Sequence, residues 1–329
     1  MGTLNIKEQI MKKLITLLIL FNLFGCSKDV NIEDINIKPL RPHSFNDVWN
    51  EVNSDLYKTL PQDKISYGKL FTFSKNIILH DAKRTLLERA DILEPFDKLA
   101  HPNGACMKGY WNITEANPYS GYFKNGSKAL IIARASSAMS NTKRNETRAF
   151  GMAGKLFPTT NENKINKEPT ANFFVIDDLG GTKALHYTDV TLTNEPDVTT
   201  TTEVLKNLLY ALKVSKAFEK ADSNPTIRQL YEVSELGETE KKNLITPKWM
   251  SIKAKSGQTI DGEDFRDEFR LEKGQTLVFE IAVANKEIKG KKNWKTIGTI
   301  TFDDSLVSNS CDHRLHFHHP KWRDDLNHE

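Results

Sequence analysis

Three places in the chain hold residue types that could do chemistry. His101 lies in Lys98-Leu99-Ala100-His101-Pro102-Asn103-Gly104, just before an apolar run. An imidazole changes charge near neutral pH and is the commonest proton carrier of active sites. A turn histidine bonded only to backbone is the alternative, and residue types leave both open. Arg134 and Ser136 alternate with Ile131, Ala133 and Ala135 and so share a strand face with Leu130 and Ile132. A cation and a hydroxyl on an otherwise apolar face need a buried anion or polar partner. A buried Asp would serve, and the residues alone favour it. The third place is His313, His316, His318 and His319, beside Cys311 and Asp312. If Asp312 to His318 is a strand, His316 and His318 share one face, with a Cys or Asp near enough to complete a Zn or Cu site. The spacing matches no zinc motif, and a solvent-facing polar edge competes with that reading.

Other motifs fall away. Gly151-Met152-Ala153-Gly154-Lys155 is no phosphate loop, because Ala149 stands at its first Gly and Leu156 at its Ser or Thr. No Ser-His-Asp or Cys-His-Asn order stands out. Cys106 and Cys311 could pair in an oxidising compartment, and sequence leaves that open.

The elements that must position these groups follow from periodicity. The 329 residues are 38% hydrophobic and 27% charged, an ordinary globular composition. A net charge of +3 argues against a dedicated nucleic-acid binder. Ser44 as N-cap and Phe45, Val48, Trp49 and Val52 at helical spacing predict a helix over 44–60, with a second short one over 81–93. Strands are expected at 107–113, 128–136, 148–157 and 171–176. Helices are expected at 201–220 and 224–236, the second opened by Asn224-Pro225. Strands resume at 249–254, 276–284, 294–302 and 312–318. Lys289-Gly290-Lys291-Lys292 reads as a solvated hairpin tip between two of them. The sum is a mainly β, α+β chain built on an antiparallel barrel of about eight strands, with a helical insertion near 201–237.

Residues 1–25 read as an address. Met11-Lys12-Lys13 precedes the apolar run Leu14 to Phe21, too short to span a bilayer comfortably. Leu23-Phe24-Gly25-Cys26 resembles the bacterial lipobox, which implies that Cys26 is lipidated and heads the mature chain. Residues 26–43 then form a tether and 44–329 the domain. The expected location is the cell envelope, held to a membrane by acyl chains; Ser27-Lys28-Asp29 favours the outer membrane by resemblance to sorting rules.

The domain itself resembles haem-dependent catalases. Lys98 to Thr114 is similar to the stretch opening the catalase barrel. Leu130-Ile131-Ile132-Ala133-Arg134-Ala135-Ser136 is similar to its second strand, Arg148-Ala149-Phe150 and Lys155-Leu156-Phe157-Pro158-Thr159 to its third, Asn172 to Asp177 to its fourth, and Trp294 to Phe302 and Leu315-His316-Phe317-His318-His319-Pro320 to its last ones. The resemblance implies that His101 is the distal catalytic His, Ser136 its orienter and Arg134 a haem-propionate partner. Lys98 stands for a second propionate-binding Arg, keeping the charge but not the bidentate fork. Two departures accompany it. Catalases ligate haem iron through a Tyr after the barrel, and here the last Tyr is Tyr231. The family's distal Asn falls at Glu168-Pro169, with Asn172 nearby. The expected function is therefore a catalase-like barrel lipoprotein with a haem-sized pocket and peroxidase-like or hydroperoxide chemistry. The alternative is a haem-free envelope module that binds a small apolar ligand or a partner protein.

Overall fold

Alternating burial sets the architecture. On β2 (Lys128–Ser136), every residue after Lys128 is buried, so both strand faces are covered. Ala129, Ile131, Ala133 and Ala135 join one apolar cluster, whereas Leu130 and Ile132 join a second with Phe45, Val48, Trp49 and Val52. The first cluster is a barrel interior and the second a layer laid over the barrel wall. The computed structural model describes residues 44–54, 101, 103–137, 142–147, 150–159, 171–177, 202, 225–232, 245–255, 262–315, 317 and 321–322.

The wall is built from β1 (Gly104–Ile113), β2, β3 (Gly151–Pro158), β4 (Ala171–Asp177), β5 (Gln229–Glu232), β6 (Trp249–Ala254), β7 (Leu277–Ala284) and β10 (Lys295–Leu306). They run in the order β4-β3-β2-β1-β10-β7-β6-β5, and pairing of β4 with β5 closes an eight-stranded barrel. All these pairs are antiparallel. The expected fold class is thus the observed one. A minor hairpin, β8 (Glu287–Ile288) with β9 (Lys291–Lys292), stands on the β7–β10 connection. β11 (Lys321–Trp322) adds to the β4 edge at Ala171 and Asn172, while β5 takes Val175 to Asp177. The register of β10 shifts twice, against β1 between Lys108 and Gly109 and against β7 between Thr296 and Gly298, and a glycine flanks each shift. A Cβ on Gly109 would lie 1.9 Å from the Thr301 carbonyl oxygen, and one on Gly298 2.2 Å from that of Asn112.

Two short helices form the outer layer. α1 (Phe45–Val52) begins in a capping box between Ser44 and Asp47 and buries Phe45, Val48, Trp49 and Val52. α2 (Asn309–Arg314) is capped by Ser308, whose hydroxyl accepts from the Cys311 amide. Cys311 and Cys106 form a disulfide that fixes α2 to β1. At the end of the barrel nearest these residues, Phe150, Phe265 and Phe269 are fully buried. Beside them Glu268 pairs with Arg144 at 2.7 Å and accepts from the Thr226 amide at 3.0 Å. Burial raises its carboxyl pKa; those two partners act in the opposite direction.

Two expected elements are corrected. Of the helix expected over 224–236, the described residues 225–232 are not helical: a single tight turn at Pro225–Ile227 passes into β5, where Leu230 and Glu232 are buried in alternation and the strand closes the barrel. Of the strand expected over 312–318, residues 312–314 are helical instead, since α2 runs through Arg314. Cys311 must reach β1 while its neighbour Asp312 reaches Arg134 on the same wall. Successive strand residues point to opposite faces, and a helical turn removes that conflict. The helices expected at 81–93 and 201–220 and the rest of the first helix beyond 54 lie outside the described residues, apart from Thr202, as do the leader, the tether and Cys26.

Candidate functional site

His101, Ser136 and Arg134 meet on the outer wall where β1 begins and β2 ends. The antiparallel register puts Gly104 opposite Ser136 and Cys106 opposite Arg134. His101 takes the left-handed conformation, φ +59°, three residues before β1. Its carbonyl accepts from Arg134 Nη1 at 2.8 Å, which holds the turn. Its Nδ1 lies 3.1 Å from Ser136 Oγ and 3.2 Å from the Ser136 carbonyl oxygen. A carbonyl only accepts, so the tautomer that satisfies this contact donates from Nδ1. The half-buried ring packs edge-on against Phe174 at 5.4 Å.

Arg134 has a built-in anion. Its Nε and Nη2 donate to Asp312 Oδ1 at 3.1 and 2.5 Å, and the Gly104 amide donates to the same oxygen at 2.9 Å. Both side chains are about 5% exposed or less. Gly104 is required here, because a Cβ would lie 2.5 Å from the Ala135 carbonyl oxygen and 3.0 Å from the Arg134 guanidinium carbon. Of the two partners left open for Arg134, a propionate or a buried Asp, the chain supplies the Asp. Sequence reasoning asked for an Asp without naming one; the pairing of Cys106 with Cys311 was the signal, since it brings the neighbouring Asp312 to this wall.

Further along the same face, β3 carries Lys155, which sequence reasoning met in a rejected motif and in the stretch similar to the third catalase strand, without giving it a role. Its Nζ donates to Asn172 Oδ1 at 3.3 Å and lies 5.2 Å from the centre of the Phe317 ring. No carboxylate pairs with it among the described residues. Burial without a counter-ion lowers its pKa to about 7. Asn172 is thus engaged by Lys155.

The chain is similar to a fungal catalase at 11% identity and TM-score 0.39, over 66% of this chain and 52% of that one. It is similar to a bacterial catalase at 13% and 0.40, over 88% and 62%, and to catalase A from Saccharomyces cerevisiae at 10% and 0.39, over 66% and 54%. It therefore spans about half to six tenths of the length of these catalases. No protein-family model matches the sequence, and no curated protein does.

Of the residues that the resemblance assigned to a haem pocket, His101 and Ser136 come together. His101 is held by Ser136 through Nδ1, and an imidazole is a side chain able to carry a proton near neutral pH. Arg134 does not suit a propionate, because a second carboxylate there would face Asp312. Lys98, His316 and His318 lie outside the described residues, and no group of three metal-ligating side chains occurs among the described ones.

Proposed function

We propose that the protein is an exported, lipid-anchored, catalase-like barrel that binds haem against the His101 face and acts on a peroxide or hydroperoxide. The observation that carries this reading is the His101–Ser136 contact, formed across 35 residues between the two motifs that resemble the catalase acid–base pair. Bound haem would supply the iron chemistry that cleaves the O–O bond. The chain's own part is to hold and move a proton at His101 Nε2. Ser136 fixes the ring, and Arg134 fixes the backbone that carries it. Export is supported by the Cys106–Cys311 disulfide, which persists in oxidising compartments.

The test is an absorption spectrum of the purified chain after haem reconstitution. A Soret band at one haem per chain is expected in wild type and in His101→Ala. Peroxidase turnover should fall about 100-fold or more in the variant, the usual scale for losing a general acid–base group. No Soret band in either protein would overturn the reading. Arg134 favours a second one, since its anion is Asp312: a haem-free envelope module that binds a small apolar ligand or a partner protein. That reading expects no band at all.

A further inference from the structure

The net charge of +3 hides a strongly basic end of the barrel. Antiparallel register brings three connections to the end opposite His101: residues 114–127, residues 245–248 and the β8–β9 hairpin. Hydrogen bonds weld them into one rim. Ser120 and Ile245 exchange bonds at 2.9 and 3.3 Å. Asn285 donates to Tyr119 Oη at 2.7 Å and accepts from the Lys248 amide at 2.8 Å. Lys295 Nζ donates to the Ala116 carbonyl at 3.3 Å.

This rim carries Lys248, Lys286, Lys289, Lys291, Lys292 and Lys295, all but Lys292 exposed. Lys124 and Lys128 add to it from the β1–β2 side. Among the described residues of the rim, the acids are Glu115 and Glu287, and Glu287 is 3.8 Å from Lys292. Between the cations stand Ile288 at 65% and Ile245 at 55% exposure, the largest values among the exposed apolar side chains described. Below them, Lys248 and Lys292 cover the Trp249 ring at 4.6 and 4.9 Å, and Trp294 packs on Tyr231 at 5.6 Å.

We infer that this rim docks on a membrane surface rich in anionic phospholipid, with the lysines on the phosphates and Ile288 and Ile245 in the headgroup layer. Charge complementarity sets the sign of the partner. The exposed aliphatics select a bilayer over a nucleic acid, which offers them no apolar layer. The rings of Trp249, Trp294 and Tyr231 are engaged with lysines or one another rather than presented for base stacking. Lysines around aliphatic and aromatic groups are the usual composition of an interfacial anchor.

The test is flotation of the full chain with phosphatidylcholine vesicles, with and without phosphatidylglycerol. The leader is identical in every variant compared. Phosphatidylglycerol should tighten wild-type binding about tenfold or more, from the usual contribution of several lysines at an anionic surface. Lys289→Glu/Lys291→Glu/Lys295→Glu should lose that gain, and Ile288→Asp should weaken binding to the same vesicles. The inference is overturned by no gain in wild type, by a gain that survives the triple reversal, or by lysine-dependent capture of a single-stranded oligonucleotide in preference to the vesicles. None of these outcomes depends on haem.

Discussion

A buried cation asks for an anion, and the chain answers that demand differently at two residues. Arg134 has Asp312, so removing one partner leaves an uncompensated buried charge. Asp312→Ala should cost about 3 kcal/mol or more in denaturant unfolding, whereas the double variant Arg134→Leu/Asp312→Leu should lose much less. Equal losses would show that packing rather than charge pairing governs the position. Lys155 has an amide and a ring instead. Its folded pKa of about 7 lies below the ordinary lysine value of 10.5, so between these two values the unfolded chain holds a proton that the folded one lacks. Stability should therefore rise with pH across that window, by up to about 1.4 kcal/mol per unit for one proton, and level off below it. Lys155→Met should flatten this slope and gain most below pH 7. A wild-type slope unchanged by the substitution would assign the dependence to other groups.

At the scale of elements, α2 is tied to β1 by the Cys106–Cys311 disulfide, which spans 205 residues. Cys106→Ser/Cys311→Ser should lower unfolding stability by about 2–5 kcal/mol, with the loss seen equally on reducing the wild type. No difference between oxidised and reduced chains would contradict that. The elements also show what periodicity can and cannot deliver. β2 was legible to the residue, because alternation on a two-sided strand is a local signal. β5 was misread as helix, because Pro225 marks a helix start as well as a tight turn, and only pairing with β4 and β6 decides between them. α2 was misread as strand because its shape is set by a disulfide and an ion pair to residues 205 and 178 positions away. Of the site, His101 and Ser136 were named together through motif resemblance, and the need of Arg134 for a buried anion through strand alternation. Asp312 and Lys155 were not, since nothing local marks which acid meets Arg134 or which lysine is buried.

For the whole molecule, the antiparallel barrel of about eight strands was legible, but the strand that closes it was not. The barrel closes through β5, four residues long, on an edge that β4 shares with β11. That seam should open first: amides of β5 should exchange well before those of β1, β2 and β10, whose ladders are the longest. Comparable protection in β5 and β1 would refute this ranking. The closed wall places the His101 site and the basic rim at opposite ends, so a chain lying on its rim would hold His101 away from the membrane. The disulfide carries a consequence of another kind. It joins the third residue of β1 to the segment just after β10, so the intervening backbone is a covalent ring holding nearly the whole barrel wall. A single protease cut anywhere within that ring opens a loop but frees no fragment. In a compartment where proteases work on folded proteins, the nicked chain would stay one molecule until a reductant reached Cys106 and Cys311.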